Sequence, residues 1–326
     1  MTRRATERAC GVVSNIKKSE TGMLKVQSLS RRFGALVAVD GLSFEVAPGE
    51  VLGFLGPNGA GKSTTMKMIT GFLTPSSGTA TICGHDIQTD PVAAKRELGY
   101  LPEGAPAYGD MTVEQFLRFI ARIREIPAGE IQQRIDTVID SIQLQAVVHR
   151  PIEALSKGYK RRVGLAQAIL HDPKVLILDE PTDGLDPNQK HEVRKLIRSM
   201  AKDKVIVVST HILEEVPAVC TRAMLIAKGH ALFDGTPEQL SAKSRYHQAV
   251  TVQLDAVDDA AEALRALDGA ASVETGPRSV TVFPTPGASL IEPVNQLARE
   301  RGWQTHSIFQ EPGRLDDVFR SLTEAA

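Results

Sequence analysis

The run GPNGAGKST, residues 56–64, constrains this chain more tightly than any other stretch. Gly56, Gly61, Lys62 and Ser63 fit the spacing G-x-x-x-x-G-K-[ST], and Pro57, Asn58, Gly59, Ala60 and Thr64 complete the loop. Such a loop must turn sharply between a strand and a helix. Val51, Leu52, Phe54 and Leu55 supply a short apolar strand before it, and the helical stretch after it ends near Gly71. Glycines let the backbone curl until several N–H groups converge on one anion. The helix that follows aims its N-terminal dipole at the same place. The expected ligand is a nucleotide phosphate, with Lys62 reaching the β- and γ-phosphates and the Ser63 hydroxyl on Mg²⁺.

A second segment agrees in chemistry. Val175 to Leu178 reads as an apolar strand that ends in Asp179 and Glu180, with Pro181 stopping it. Carboxylates at the C-terminal end of a parallel strand face the ligand crevice. Asp179 would hold the metal, and Glu180 would act as general base on a water. His211 follows a third apolar run, Lys204 to Val208, after Ser209 and Thr210. Spacing alone leaves it either a cap or surface residue, or a γ-phosphate contact. Strands alternating with helices argue for a parallel sheet covered on both faces, an α/β fold.

At 326 residues the chain has room for two domains. With 38 Lys+Arg against 39 Asp+Glu, it has no basic excess to hold nucleic acid by bulk charge. No segment reaches the run of about 18 apolar residues that a membrane span needs. Residues 1–20 carry no apolar core of the kind that marks a secretory signal. Cys10, Cys83 and Cys220 are widely spaced and form no CxxC pair, so buried or incidental thiols in a reducing compartment are expected.

The chain divides by character. Residues 1–22 hold five basic and two acidic side chains without apolar period, which predicts a loose tail. Met23 opens the alternating run MLKVQSLSRRFG, so translation is expected to start there. Residues 104–170 read as helices: Thr112 and Gln115 make a capping box, and Val113, Phe116, Leu117 and Ile120 share one face. Ile131, Ile135, Val138, Ile139 and Ile142 repeat that pattern. Beyond Ser241 the order βαββαβ predicts a small ferredoxin-like domain, followed by a last helix near Leu315 to Leu322.

Together these pieces resemble the ATP-binding subunit of an ABC transporter, over residues 24–240. Leu155-Ser156-Lys157-Gly158-Tyr159 is similar to the family's LSGGQ signature, Gly184-Leu185-Asp186 to its D-loop, and His211 to its switch histidine. Phe33 matches the aromatic residue that stacks on adenine. The resemblance implies a P-loop cassette with a RecA-like core, an antiparallel β subdomain and a helical subdomain, spanning residues 23–243, with the appendage at 244–326. It implies ATP and Mg²⁺ as cofactors, with Ser63, Asp179 and Glu103 at the metal, and Glu180, His211 and Lys62 in catalysis. Ser156 can cap its helix and, with Lys157 and Gly158, bind an anion. The resemblance implies that this anion is the γ-phosphate held by a second ATP-binding subunit, in the simplest case another copy of the chain. The remaining partner would be a multi-span permease at the cytoplasmic face of the membrane, touched by helix 112–124 and the loop before it. No nucleic acid is expected. Lys157, Tyr159 and Glu103 depart from the family's Gly, Gln and Gln. The stretch LGYLPEGAPAYGDMTVEQFL and the closing Leu315-Asp316-Asp317-Val318-Phe319 resemble the type-2 exporter group, including its gliding-motility-associated members. A soluble ATPase switch acting on nucleic acid or the ribosome is the alternative.

Overall fold

The fold was obtained as a computed structural model, and it describes residues 23–324. The expectations about the tail, about a start at Met23 and about Cys10 fall on or depend on residues outside that range. In chain order come β1 (Leu24–Phe33), β2 (Leu36–Val46), β3 (Val51–Leu55), α1 (Lys62–Ile69), β4 (Ser77–Ile82), β5 (His85–Asp86), α2 (Pro91–Arg96) and β6 (Leu98–Leu101). Three helices follow: α3 (Val113–Ile123), α4 (Ile131–Ile142) and α5 (Lys157–Ile169). Then come β7 (Val175–Asp179), α6 (Pro187–Met200), β8 (Val205–Ser209), α7 (Val216–Val219), β9 (Arg222–Ala227), β10 (His230–Gly235) and α8 (Pro237–Ser241). The chain closes with β11 (Val250–Leu254), α9 (Val257–Arg265), β12 (Ala270–Gly276), β13 (Ser279–Pro284), α10 (Ile291–Glu300), β14 (Thr305–Gln310) and α11 (Leu315–Glu324).

The central sheet has the order β10-β9-β3-β8-β7-β6. Strands β9, β3, β8, β7 and β6 run parallel, and β10 closes one edge antiparallel. Every residue of β3, β7 and β8 is buried, as strands covered on both faces require. Strand β3 lies between β8 and β9, so the chain leaves its C-terminal end where the strand order reverses. That is the position where open α/β sheets bind ligands.

A second sheet, β2-β1-β4-β5, is antiparallel and shares its core with one face of the central sheet: Leu24, Val26 and Ile82 pack with Phe54, Met66 and Ile177. On the other face, α3, α4 and α5 pack through Leu117, Ile135 and Val163 onto the core that holds Leu101 and Leu178. Helix α3 starts where its sequence dictates. The Thr112 hydroxyl accepts from the Gln115 N–H at 3.2 Å, and the Gln115 side chain accepts from the Thr112 N–H at 3.0 Å.

The third sheet runs β12-β13-β11-β14, with every neighbour antiparallel. Strands β11 and β12 therefore flank β13 as a split βαβ unit, and α9 and α10 cover one face through Leu264 and Val294. Helix α11 does not join that core. Val318 is buried in the cassette core, and Leu315, Phe319 and Leu322 pack against it. The last helix thus returns to the cassette, beside α8 and the turn Leu213–Glu215. Sequence order had grouped it with the appendage.

Candidate active site

The loop between β3 and α1 is shaped by two glycines. Gly56 has φ +156°, and a Cβ there would sit 2.2 Å from the Ile226 carbonyl oxygen. Gly61 has φ +104°, and its Cβ would meet the Ala38 carbonyl oxygen at 2.5 Å. No side chain fits at either position, so the backbone itself forms the wall of the loop. Asn58 and Gly59 stand exposed at its tip, Ala60 is buried, and Ser63 and Thr64 are half-buried. The Lys62 side chain is buried and folds back over the loop, donating to the carbonyls of Gly56 at 2.6 Å and Pro57 at 3.0 Å. Burial lowers its pKa, while the charges of Glu180, Asp179 and Glu103 oppose that shift.

Strand pairing brings the second group in. Asp179 stands opposite Ser209 across β7 and β8, and the Ser209 hydroxyl donates to Asp179 Oδ1. Asp179 is 1% exposed, yet among the described residues its Oδ2 has no hydrogen-bond partner. A buried carboxylate oxygen without a donor carries a desolvation cost that a cation would relieve. Glu180 follows at φ +52°, and its N–H donates to the Ser209 carbonyl at 3.2 Å and the Ser209 hydroxyl at 3.0 Å. Its Oε1 lies 2.8 Å from His211 Nδ1. The histidine that spacing left open therefore touches the carboxylate assigned as base.

The other sequence-predicted positions distribute around this centre. Glu103 is exposed on the turn after β6, and its charge reaches Lys62. Phe33 ends β1 with 45% of its surface exposed, and the Arg31 guanidinium lies 4.6 Å from its ring centroid. Ser156 caps α5, accepting from the Tyr159 N–H at 3.4 Å. Lys157 is drawn toward the D-loop, pairing with Asp183 at 2.8 Å, and that bond holds the Asp183 carboxyl below its ordinary range. Gly158 packs so closely on Gln189 that an added Cβ would lie 2.8 Å from its Oε1.

Two residues that sequence reasoning missed knit these segments together. Buried Arg161 donates to the carbonyls of Pro102, Asp179 and Glu180. Glu215, also buried, accepts from Thr182 at 2.6 Å and Arg194 at 2.9 Å, joining the turn after His211 to the turn after Glu180. Their partners lie 18 or more positions away in the chain, beyond any local pattern. Glu215 lies four positions after His211, and that spacing on a turn is the one signal available in the sequence.

Fold and site define a P-loop nucleotide-hydrolysing cassette. A family model described as "ABC transporter" matches residues 39–183. The chain is 32% identical over 306 residues to "Nod factor export ATP-binding protein I" of Ralstonia nicotianae (strain ATCC BAA-1114 / GMI1000), covering 93% of this chain and 94% of that protein. It is 37% identical over 223 residues to "Probable multidrug ABC transporter ATP-binding protein YbhF" of Escherichia coli (strain K12), covering 68% of this chain and 38% of that protein. Among solved structures, cbiO1 from Clostridium perfringens, described as part of the ABC transporter complex cbiONQ, superposes with a TM-score of 0.62. The two are 31% identical, with 69% of this chain and 92% of that one covered. The chain belongs to the ABC transporter family as an ATP-binding, ATP-hydrolysing subunit. The similarity to the Nod factor protein runs past the cassette, since 93% of the chain is matched.

Proposed function

We propose that two copies of this chain close head to tail on two ATP molecules and drive a separate permease that exports its cargo. The observation behind the chemistry is the 2.8 Å contact between Glu180 and His211, beside buried Lys62 and Asp179. In this reading Lys62 leaves the Gly56 and Pro57 carbonyls and takes the β- and γ-phosphates. The loop's N–H groups hold the same oxygens, and Phe33 stacks on adenine. Glu180 accepts the proton of the attacking water, while His211 fixes the Glu180 carboxylate and donates toward the γ-phosphate. Bound Mg²⁺ would neutralise charge between the β- and γ-phosphates, held by the free Oδ2 of Asp179 and the Ser63 hydroxyl, with Glu103 near it. Ser156, Lys157 and Gly158 would meet the γ-phosphate bound by the partner copy.

The cassette in this reading spans residues 23–243 and the appendage begins at 244, with α11 returned to the cassette. Among the described residues no helix is long and apolar enough to cross a membrane. The permease would hold the subunit peripherally at the cytoplasmic face. Its docking face is a groove of about 770 Å³ beside α2 and the end of α3, with Val92, Ile120 and Ile123 on its walls and Lys95, Arg96 and Arg124 at its rim. Exposed Val92 and Ile123 suit a short amphipathic helix with acidic residues.

Light scattering of Glu180→Gln tests the dimer. With ATP and Mg²⁺ this variant is expected to run at twice the mass it shows with ADP, and Ser156→Arg in the same background is expected to stay single. Equal mass under all conditions would overturn the head-to-tail reading.

A further inference from the structure

Arg161 lies in the second turn of α5, buried, with a guanidinium that spans three backbone carbonyls. Its Nη1 donates to Pro102 at 3.1 Å, its Nε to Glu180 at 2.9 Å, and its Nη2 to both Asp179 and Glu180. Burial lowers its pKa, and Asp183, Asp179, Glu180 and Glu103 stand close enough to oppose that shift. A rigid fork of donors can serve three acceptors at once, and an ammonium on a flexible stem cannot.

The acceptors include the residue that carries the chemistry. Glu180 has φ +52°, a left-handed conformation that L side chains rarely adopt and that persists only where surroundings fix it. Its N–H is fixed by Ser209 from one side, and its carbonyl by Arg161 from the other. Pro102 precedes Glu103, so the same guanidinium ties the turn after β6 to the end of β7. Helix α5 carries the Ser156–Gly158 signature at its start and packs against α4.

We propose that Arg161 is a positioning residue for hydrolysis: it holds Glu180 in its left-handed backbone conformation and links that conformation to the Pro102–Glu103 turn and the signature helix. The proposal rests on Glu180 being the general base. A shift of the helical layer, whether from a permease in the groove or a phosphate at the signature, then reaches the Glu180 carboxylate through one side chain. Without that hold the carboxylate moves off the line of the attacking water, while the loop that binds ATP is untouched.

The test uses the full chain with Arg161→Lys and Arg161→Gln, Arg162→Lys for comparison, and Glu180→Gln as a benchmark. Arg162 is as buried as Arg161, but its guanidinium donates to the Ile142 and Gln143 carbonyls at the end of α4 and lies 4.2 Å from the Tyr159 ring centroid, rather than gripping the Asp179 and Glu180 carbonyls. The measurements are melting temperature, kcat and KM for ATP hydrolysis, and affinity for a non-hydrolysable ATP analogue with Mg²⁺. Arg161→Lys is expected to lower kcat by roughly tenfold to hundredfold, as a displaced catalytic group does. Analogue affinity should stay within about threefold of wild type. Arg162→Lys should lose comparable melting temperature with kcat within about threefold. Equal kcat loss in both arginine variants at equal melting temperature would mean a structural role only and overturn the proposal. Full activity in Arg161→Lys, with Glu180→Gln inactive, overturns it while leaving the base assignment standing. Activity in Glu180→Gln overturns the base assignment and this proposal with it.

Discussion

Lys62 and Glu103 show how much the site asks of single side chains. The buried Lys62 side chain donates to two loop carbonyls, and three nearby carboxylates oppose the lowering of its pKa by burial. Glu103 adds one of those charges, where an amide would be neutral. An exposed carboxylate tunes such a site rather than running it, so Glu103→Gln is expected to keep the ATPase rate within about tenfold of wild type, read by phosphate release. Asp179 and Glu180 were legible in the sequence because an apolar strand that ends in carboxylates has one place to put them. His211 was not, because spacing gives its position after β8 and not the 2.8 Å contact that gives it a role. Arg161 and Glu215 were silent for a related reason: their partners are carbonyls and side chains far along the chain, and no periodicity encodes those pairings.

Helices α3 and α5 carry their own start signals, and both signals work. Thr112→Ala removes one half of a capping box and is expected to cost about 1 kcal/mol, measured by denaturant unfolding. Just past α5, His171 gives the fold a pH dependence. Its Nε2–H donates to the Leu98 carbonyl at 3.0 Å, and its buried Nδ1 has no partner among the described residues. Burial, reinforced by the Arg124 charge, holds its pKa down to about 4, against smaller opposing effects of the Leu98 bond and Asp172. The unfolded chain takes up this proton near pH 6.5, and the folded chain refuses it until about 4, so stability falls as pH drops through that window. The loss should reach at most about 3 kcal/mol, and His171→Gln should remove it from the stability–pH curve. The hairpin β9–β10 had no reading from sequence, although its β9 edge completes the sheet around β3. Its residues are apolar in β9 and mixed in β10, which is what one buried strand and one partly exposed edge strand require.

At the scale of the molecule, α11 makes cassette and appendage interdependent. Asp317 accepts from the Ser244 hydroxyl at 2.7 Å and the Arg245 N–H at 3.0 Å, so the chain's end grips the linker by which it left the cassette. Val318 then plugs the cassette core beside the turn that follows His211. Ending the chain after Gly313 should expose that core and cost roughly 3 kcal/mol, the price of losing a buried aliphatic side chain and its neighbours. In a scan of the cassette this would read as a melting point lower by about 6–12 °C. An unchanged cassette transition would show instead that α11 contributes nothing to it. Linear order predicted the appendage strands well, because alternation and helix periods are local. It placed α11 with them for want of any local sign that its apolar face belongs elsewhere.

In the proposed reading, the Glu180–His211 pair over the P-loop carries the hydrolysis. Steady-state phosphate release with Mg²⁺ and ATP tests it most directly, comparing the wild-type chain with Glu180→Gln. The wild type should hydrolyse ATP, and the variant should lose at least about a hundredfold in kcat while binding ATP as tightly. A Glu180→Gln protein as active as the wild type would contradict it.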